Sequence, residues 1–176
     1  MRPEPDCSLC ALCQGRTNIV LPDGDFSTGI VFVGEAPGEN EDLEGRPFVG
    51  RSGKILDAMM GDAGISRSDV TITNTVKCRP PDNRDPRPEE MEACRPFLYW
   101  ELSQARLVVG LGRSAVRDLM GFDGRMSEVV NIITEIDVDG KKVRFLPTYH
   151  PAATIYNKVS RAELRRTMDI VREEMQ

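Results

Sequence analysis

Ile30-Val31-Phe32-Val33-Gly34-Glu35-Ala36-Pro37-Gly38 is the stretch whose reading decides the fold. Four apolar residues, three of them β-branched, stop at a glycine, which is the pattern of a buried strand. Residues 34–50 then form a long loop rich in glycine, proline and acids. Beyond it, Ile55, Leu56, Met59, Met60 and Ala63 recur at three- and four-residue spacing, so residues 52–63 make an amphipathic helix. Gly61 weakens that helix and Gly64 ends it.

The alternation repeats along the chain. Residues 70–73 are a second strand, closed by Asn74, and residues 77–88 a loop rich in proline and arginine. Residues 89–102 form a helix in which Pro96 is a source of kinking. Residues 106–110 are a third strand, followed by a short helix over 113–120. Residues 132–138 and 141–146 pair as a hairpin across Asp139-Gly140. The last helix starts at Ser160, with Glu163 completing a capping box. Such an order implies an α/β domain, its parallel or mixed sheet covered on both faces. Ligands of these sheets bind beyond the carboxyl ends of the strands, which selects the loops 34–50, 74–88 and 147–157.

The chain of 176 residues is expected to form one domain over residues 1–176, with an irregular, turn-rich leader over residues 1–28. Hydrophobic residues at 40% and charged residues at 29% exclude a coiled coil, a collagen-like chain and global disorder. No run approaches the roughly 18 apolar residues of a membrane span. The first residues lack the basic and apolar regions of a secretory signal, so a cytoplasmic location is expected. The formal charge is −5, yet residues 1–45 hold nine acids against two bases. The remainder is slightly basic, so net charge does not exclude nucleic acid.

Five cysteines are unevenly placed: Cys7, Cys10 and Cys13 together, then Cys78 and Cys94. Three thiols at three-residue spacing in a polar segment, with two distant partners, point to metal or cluster ligation. Other residues stand out at the strand ends. The loop 34–50 lacks the Gly-Lys-Ser/Thr ending of a phosphate loop. Phe48, outside any periodicity, is a stacking surface for a flat ligand or a loop anchor. Asn74 carries a donor and an acceptor together, as reading a base edge requires, or else it caps a turn. His150, the only histidine, precedes Pro151 and is therefore extended, and it supplies the only imidazole for acid–base work. Lys77, Arg79, Arg84 and Arg87 give the loop 77–88 the means to track a phosphate backbone, against Asp82 and Asp85.

These pieces together resemble the family 4 uracil-DNA glycosylases, the iron–sulfur branch. The resemblance is carried by Cys7-Ser8-Leu9-Cys10 with Arg16-Thr17-Asn18, by Gly34–Gly38 with Glu41-Asp42, and by Gly45-Arg46-Pro47-Phe48-Val49-Gly50. It continues through Asn74–Pro81, Asn83-Arg84-Asp85-Pro86, Cys94, and Tyr149-His150-Pro151-Ala152. It implies a three-layer α/β/α sandwich around a mainly parallel, four-stranded sheet. It also implies a [4Fe-4S] cluster on Cys7, Cys10, Cys78 and Cys94, the position of Arg16 leaving Cys13 surplus; zinc would suit four thiolates equally on chemistry alone.

The implied reaction is hydrolysis of the N-glycosidic bond of deoxyuridine flipped from DNA. Phe48 stacks on the base, while Asn74, with Asn83, contacts the substrate. His150 and backbone N–H groups around Ala36 stabilise negative charge on uracil O2. Lys77, Arg79 and Arg84 meet the DNA. Ala36 stands where the Gln-Asp-Pro-Tyr form of this loop has a water-orienting aspartate, so Glu35 or Glu41 inherits that role. Ala152 stands where the family commonly has serine. The expected partner is uracil-containing DNA, single- or double-stranded, bound by a monomer with no membrane; a sliding clamp is a further candidate. The alternatives are a non-catalytic binder of uracil or abasic DNA and a cluster-bearing partner of the replication apparatus.

Overall fold

The computed structural model describes residues 1–176. Five strands form one sheet: β1 (Ile30–Gly34), β2 (Thr71–Asn74), β3 (Leu107–Leu111), β4 (Thr134–Val138) and β5 (Lys141–Thr148). Their order is β2-β1-β3-β5-β4. The first four in that order are mutually parallel, and β4 joins antiparallel at the edge through the Asp139-Gly140 turn. The sheet thus has five strands, not four: the hairpin adds an antiparallel strand to the four parallel ones.

Strand alternation sends successive side chains to opposite faces. Ile30, Phe32, Leu107 and Val109 face α2 (Arg51–Asp62) and α5 (Lys158–Glu174), where Leu56, Met60, Leu164 and Met168 close one core. Val31, Val33, Val108 and Phe145 face α3 (Pro88–Leu102) and α4 (Arg113–Met120), meeting Leu98, Leu102 and Val116 in the other. Helices therefore cover both faces, giving the three-layer α/β/α sandwich. Helix α3 runs as one element through Pro96.

Two local expectations change. Residues 39–44 are not loop but a short helix, α1 (Glu39–Glu44), with Glu39, Glu41 and Asp42 in its first turn, where carboxylates are favoured. Helix α5 starts at Lys158 and not at Ser160. Asn157 caps it by accepting from the Ser160 N–H at 3.0 Å, while Glu163 instead accepts from Asn131 Nδ2 at 2.8 Å.

The leader is irregular apart from one 3-10 turn at Ala11–Gln14, yet its second half is fastened to the domain. Asp42 Oδ1 accepts from the Thr17 and Asn18 N–H groups. Val20 N–H donates to the Lys77 carbonyl at 2.7 Å, and Asp23 pairs with Ile72 beside β2. No helix is long and apolar enough to cross a membrane.

Candidate active site and cysteine site

Strands β1 and β2 stay joined beyond the sheet. Thr75 N–H donates to the Gly34 carbonyl at 2.9 Å, and Thr75 Oγ1 to the Glu35 carbonyl at 2.6 Å. This zipper brings Asn74 beside Gly34, its register partner. A Cβ on Gly34 would stand 2.5 Å from Phe48 Cζ and 2.6 Å from Asn74 Oδ1, so both side chains meet over the bare α-carbon. Only glycine fits there. Asn74 is 3% exposed, and its Oδ1 is the one buried side-chain polar atom with no hydrogen-bond partner. An orphaned acceptor of this kind costs about 1–3 kcal/mol unless a ligand satisfies it.

Phe48 is buried, packed in the core and against the site at once. Its ring lies 5.8 Å from that of His150 with 33° between the planes. Its backbone sits at φ 52°, a costly conformation for a non-glycine residue. Two side chains hold it there. Arg67 Nη1 donates to the Phe48 carbonyl at 2.8 Å and Nη2 to that of Pro47. Glu41 accepts from the Val49 and Gly50 N–H groups at 2.9 and 2.7 Å, and from Gly38 N–H at 3.0 Å. The carboxylate of Glu41 is therefore committed to three backbone donors. The expectation that it orients water is corrected: Glu41 builds the Phe48 loop.

His150 leaves β5 in an extended conformation, φ −65° and ψ 141°, as the following proline dictates. Gly112, at φ 95°, lets the β3–α4 turn close on it; a Cβ there would stand 2.9 Å from His150 Cβ. Nδ1 accepts from the Ala152 N–H at 3.1 Å, so the neutral ring carries its proton on Nε2. Burial holds its pKa below the ordinary imidazole range, which keeps the ring neutral at pH 7.

A cavity of about 440 Å³ opens beside His150, lined also by Glu35, Ala36, Asp85, Ser114 and Arg117. Burial raises the pKa of Glu35 above the ordinary carboxylate range. A Ser114 hydrogen bond opposes the shift, and the Asp85 carboxyl reinforces it by charge and hydrogen bonding. In the sequence Asp85 is marked only as an acid of the loop 77–88 and a member of the Asn83-Arg84-Asp85-Pro86 motif. Ser114 is not marked at all, although the strand-end rule applied to Gly110-Leu111-Gly112 points to it.

The loop 77–88 divides. Lys77 is 1% exposed and ion-paired with Glu101, so the expectation that it meets DNA is corrected: its stem and ammonium lie between sheet and α3. Arg84 is forked onto buried Glu90 at 2.7 and 2.8 Å, which anchors the loop. Arg79 Nε donates to Asn83 Oδ1 at 2.8 Å. Asn83 is exposed, outside the cavity lining, two residues before Asp85.

Cys10 lies within electrostatic reach of Cys7, Cys13, Cys78 and Cys94, and Cys94 of Cys7 and Cys78, beside a small core of Leu12 and Val76. Burial pushes the Cys78 thiol up to about 11 and raises Cys10 and Cys94. Donors point at the sulfurs: Arg16 Nη1 lies 3.5 Å from Cys78 Sγ, and the Lys77 N–H bonds Cys94. Buried thiols with N–H donors fit a group that binds them as thiolates. No three side chains of the protein are grouped to hold a single metal ion.

Residues 21–171 match the profile of the Uracil DNA glycosylase superfamily. A type-4 uracil-DNA glycosylase of Archaeoglobus fulgidus is 45% identical over 93% of this chain and 85% of its own length. One from Thermotoga maritima is 45% identical over 91% and 82%. A type-5 uracil-DNA glycosylase of Pyrobaculum aerophilum is 33% identical over 73% of this chain and 56% of its own length. The matched stretch contains every residue of the strand-end site, from Glu35 to His150, and the chain belongs to the uracil-DNA glycosylase superfamily.

Proposed function

We propose that the chain is a monofunctional uracil-DNA glycosylase that hydrolyses the N-glycosidic bond of deoxyuridine in DNA and leaves an abasic site. The observation that carries this reading is the orphaned Asn74 Oδ1, held over Gly34 beside the Phe48 ring. A buried acceptor matches the N3–H of uracil. Cytosine presents an acceptor at N3, so it would place two lone pairs together, and the amide N–H₂ that suits uracil O4 would meet the amine of cytosine. Phe48 supplies the stacking face.

When the bond from C1′ to the base nitrogen breaks, its electron pair leaves with uracil and gathers on O2. The Nε2–H of neutral His150 donates to that oxygen, with backbone N–H around Ala36 as further support. The sugar becomes electron-poor at C1′. Two carboxylates line the cavity, Glu35 and Asp85. Glu35, adjacent to Ala36 on the loop that leaves β1, is the one assigned to orient the attacking water and accept its proton, since Ala36 offers no side chain for the task. Arg79 and Asn83 serve as surface contacts for the strand, and uracil-containing DNA is the partner.

Cys7, Cys10, Cys78 and Cys94 would hold a [4Fe-4S] cluster, which when bound cross-links the leader, the loop 77–88 and α3 and takes no part in the hydrolysis. The test is incubation with a single-uracil oligonucleotide followed by alkaline cleavage. Cleavage at the uracil position is expected. Retained DNA with no cleavage would instead make the chain a non-catalytic binder.

A further inference from the structure

The reaction above leaves one buried charged group unused. Lys77 Nζ donates to Glu101 Oε1 at 2.8 Å, to Thr73 Oγ1 at 2.7 Å and to the Asn74 carbonyl at 2.7 Å, so all three ammonium protons are spent. Thr73 Oγ1 donates in turn to Glu101 Oε1 at 2.8 Å. Lys77 and Glu101 are 1% and 2% exposed. Taking both charges out of water is expensive, and apolar residues of similar volume would stabilise the fold as well or better. Stability does not explain the pair. Apolar residues cannot, however, fix the backbone of Asn74.

We infer that Lys77, held by Glu101, is a positioning residue for the base-reading amide: its ammonium locks the Asn74 carbonyl and hence the place of Oδ1 over Gly34. Discrimination for uracil then depends on a buried ion pair that touches no DNA. This rests on the reading of Asn74 given above. The backbone of Lys77 faces the other way, its carbonyl accepting from the Val20 N–H and its N–H directed at Cys94, and neither contact involves the side chain.

The test compares single-turnover excision of uracil with that of 2-pyrimidinone, which lacks both O4 and the N3–H, in the same oligonucleotide. The double variant Lys77→Met/Glu101→Leu removes both charges and leaves no unpaired ion. Its iron content should match the wild type, showing that the cysteine site is undisturbed. The uracil preference should fall about tenfold, the loss expected from one misplaced hydrogen bond, while 2-pyrimidinone, whose N3 lone pair faces Asn74 Oδ1 in the wild type, is excised no more slowly. Added to Asn74→Ala, the double variant should cost no further preference. Glu101→Gln, which keeps the shape, should show a smaller fall in the same ratio and carries the test if the double variant does not fold. An unchanged ratio, equal losses on both substrates, or a further loss on top of Asn74→Ala would overturn the proposal. If Asn74→Ala itself leaves the ratio intact, the reading of Asn74 fails first, whatever Lys77 does.

Discussion

Asn74, Glu35 and Glu41 show how environment assigns roles to residues of similar chemistry. Asn74→Asp should weaken uracil selectivity, measured on matched uracil and cytosine substrates, because a carboxylate cannot supply the amide's N–H donor. Glu35→Gln should slow excision far more than Glu41→Gln slows the chemical step, since Glu41 is bonded to three backbone N–H groups. The pKa of Glu35 lies above the ordinary carboxylate value, so excision should fall on the acid side as pH drops through that raised pKa. Asp85 raises it, so Asp85→Asn should move the acid limb of the pH–rate profile to lower pH. The stability sign is the reverse of the usual carboxylate case. The folded state binds the Glu35 proton more tightly than the unfolded state, so stability declines as pH rises from the ordinary carboxylate pKa through the raised one. Glu35→Gln should therefore raise Tm at pH 7. Phe48, Asn74 and His150 are conspicuous in the sequence because glycine, proline and strand ends frame them, and the fold brings the Phe48 ring beside both of the others. The division of labour between Glu35 and Glu41 was not, because it depends on where the loop 45–50 folds back, at backbone angles no composition reveals.

At the scale of elements, strands and helices follow from apolar spacing, and the two buried cores explain why that spacing is readable. Boundaries set by single hydrogen bonds were harder. Asn157 and Ser160 both suit a cap, and only the Asn157–Ser160 bond at 3.0 Å chooses between them. Asn157→Ala should cost about 1 kcal/mol in denaturant unfolding. Helix α1 escaped notice because six residues are too few to show a period. The cysteine elements lead to a separate expectation. Cys7→Ala, Cys10→Ala, Cys78→Ala and Cys94→Ala should each lose iron and solubility. Cys13→Ala should keep both, as assayed by iron content and colour of anaerobically purified protein. Loss of iron in Cys13→Ala would change the ligand set.

Across the whole molecule, four loops converge at one end of the parallel strands, and the leader and α3 brace that end from outside. Charge reads differently at this scale than in sequence. Of the bases in the loop 77–88, Lys77 is inside and Arg84 is tied to Glu90. Arg79→Ala should lower the salt dependence of DNA binding by about one phosphate contact, whereas the Lys77→Met/Glu101→Leu variant should leave the slope unchanged. The proposed hydrolysis depends above all on neutral His150 holding the departing uracil anion. Its most direct test is the single-turnover excision rate of His150→Ala on a single-uracil duplex, measured with affinity for the abasic product. Removal of one donor from such a site should lower the rate by about 10²–10³ while affinity for abasic DNA is nearly kept. Excision at the wild-type rate would contradict the mechanism.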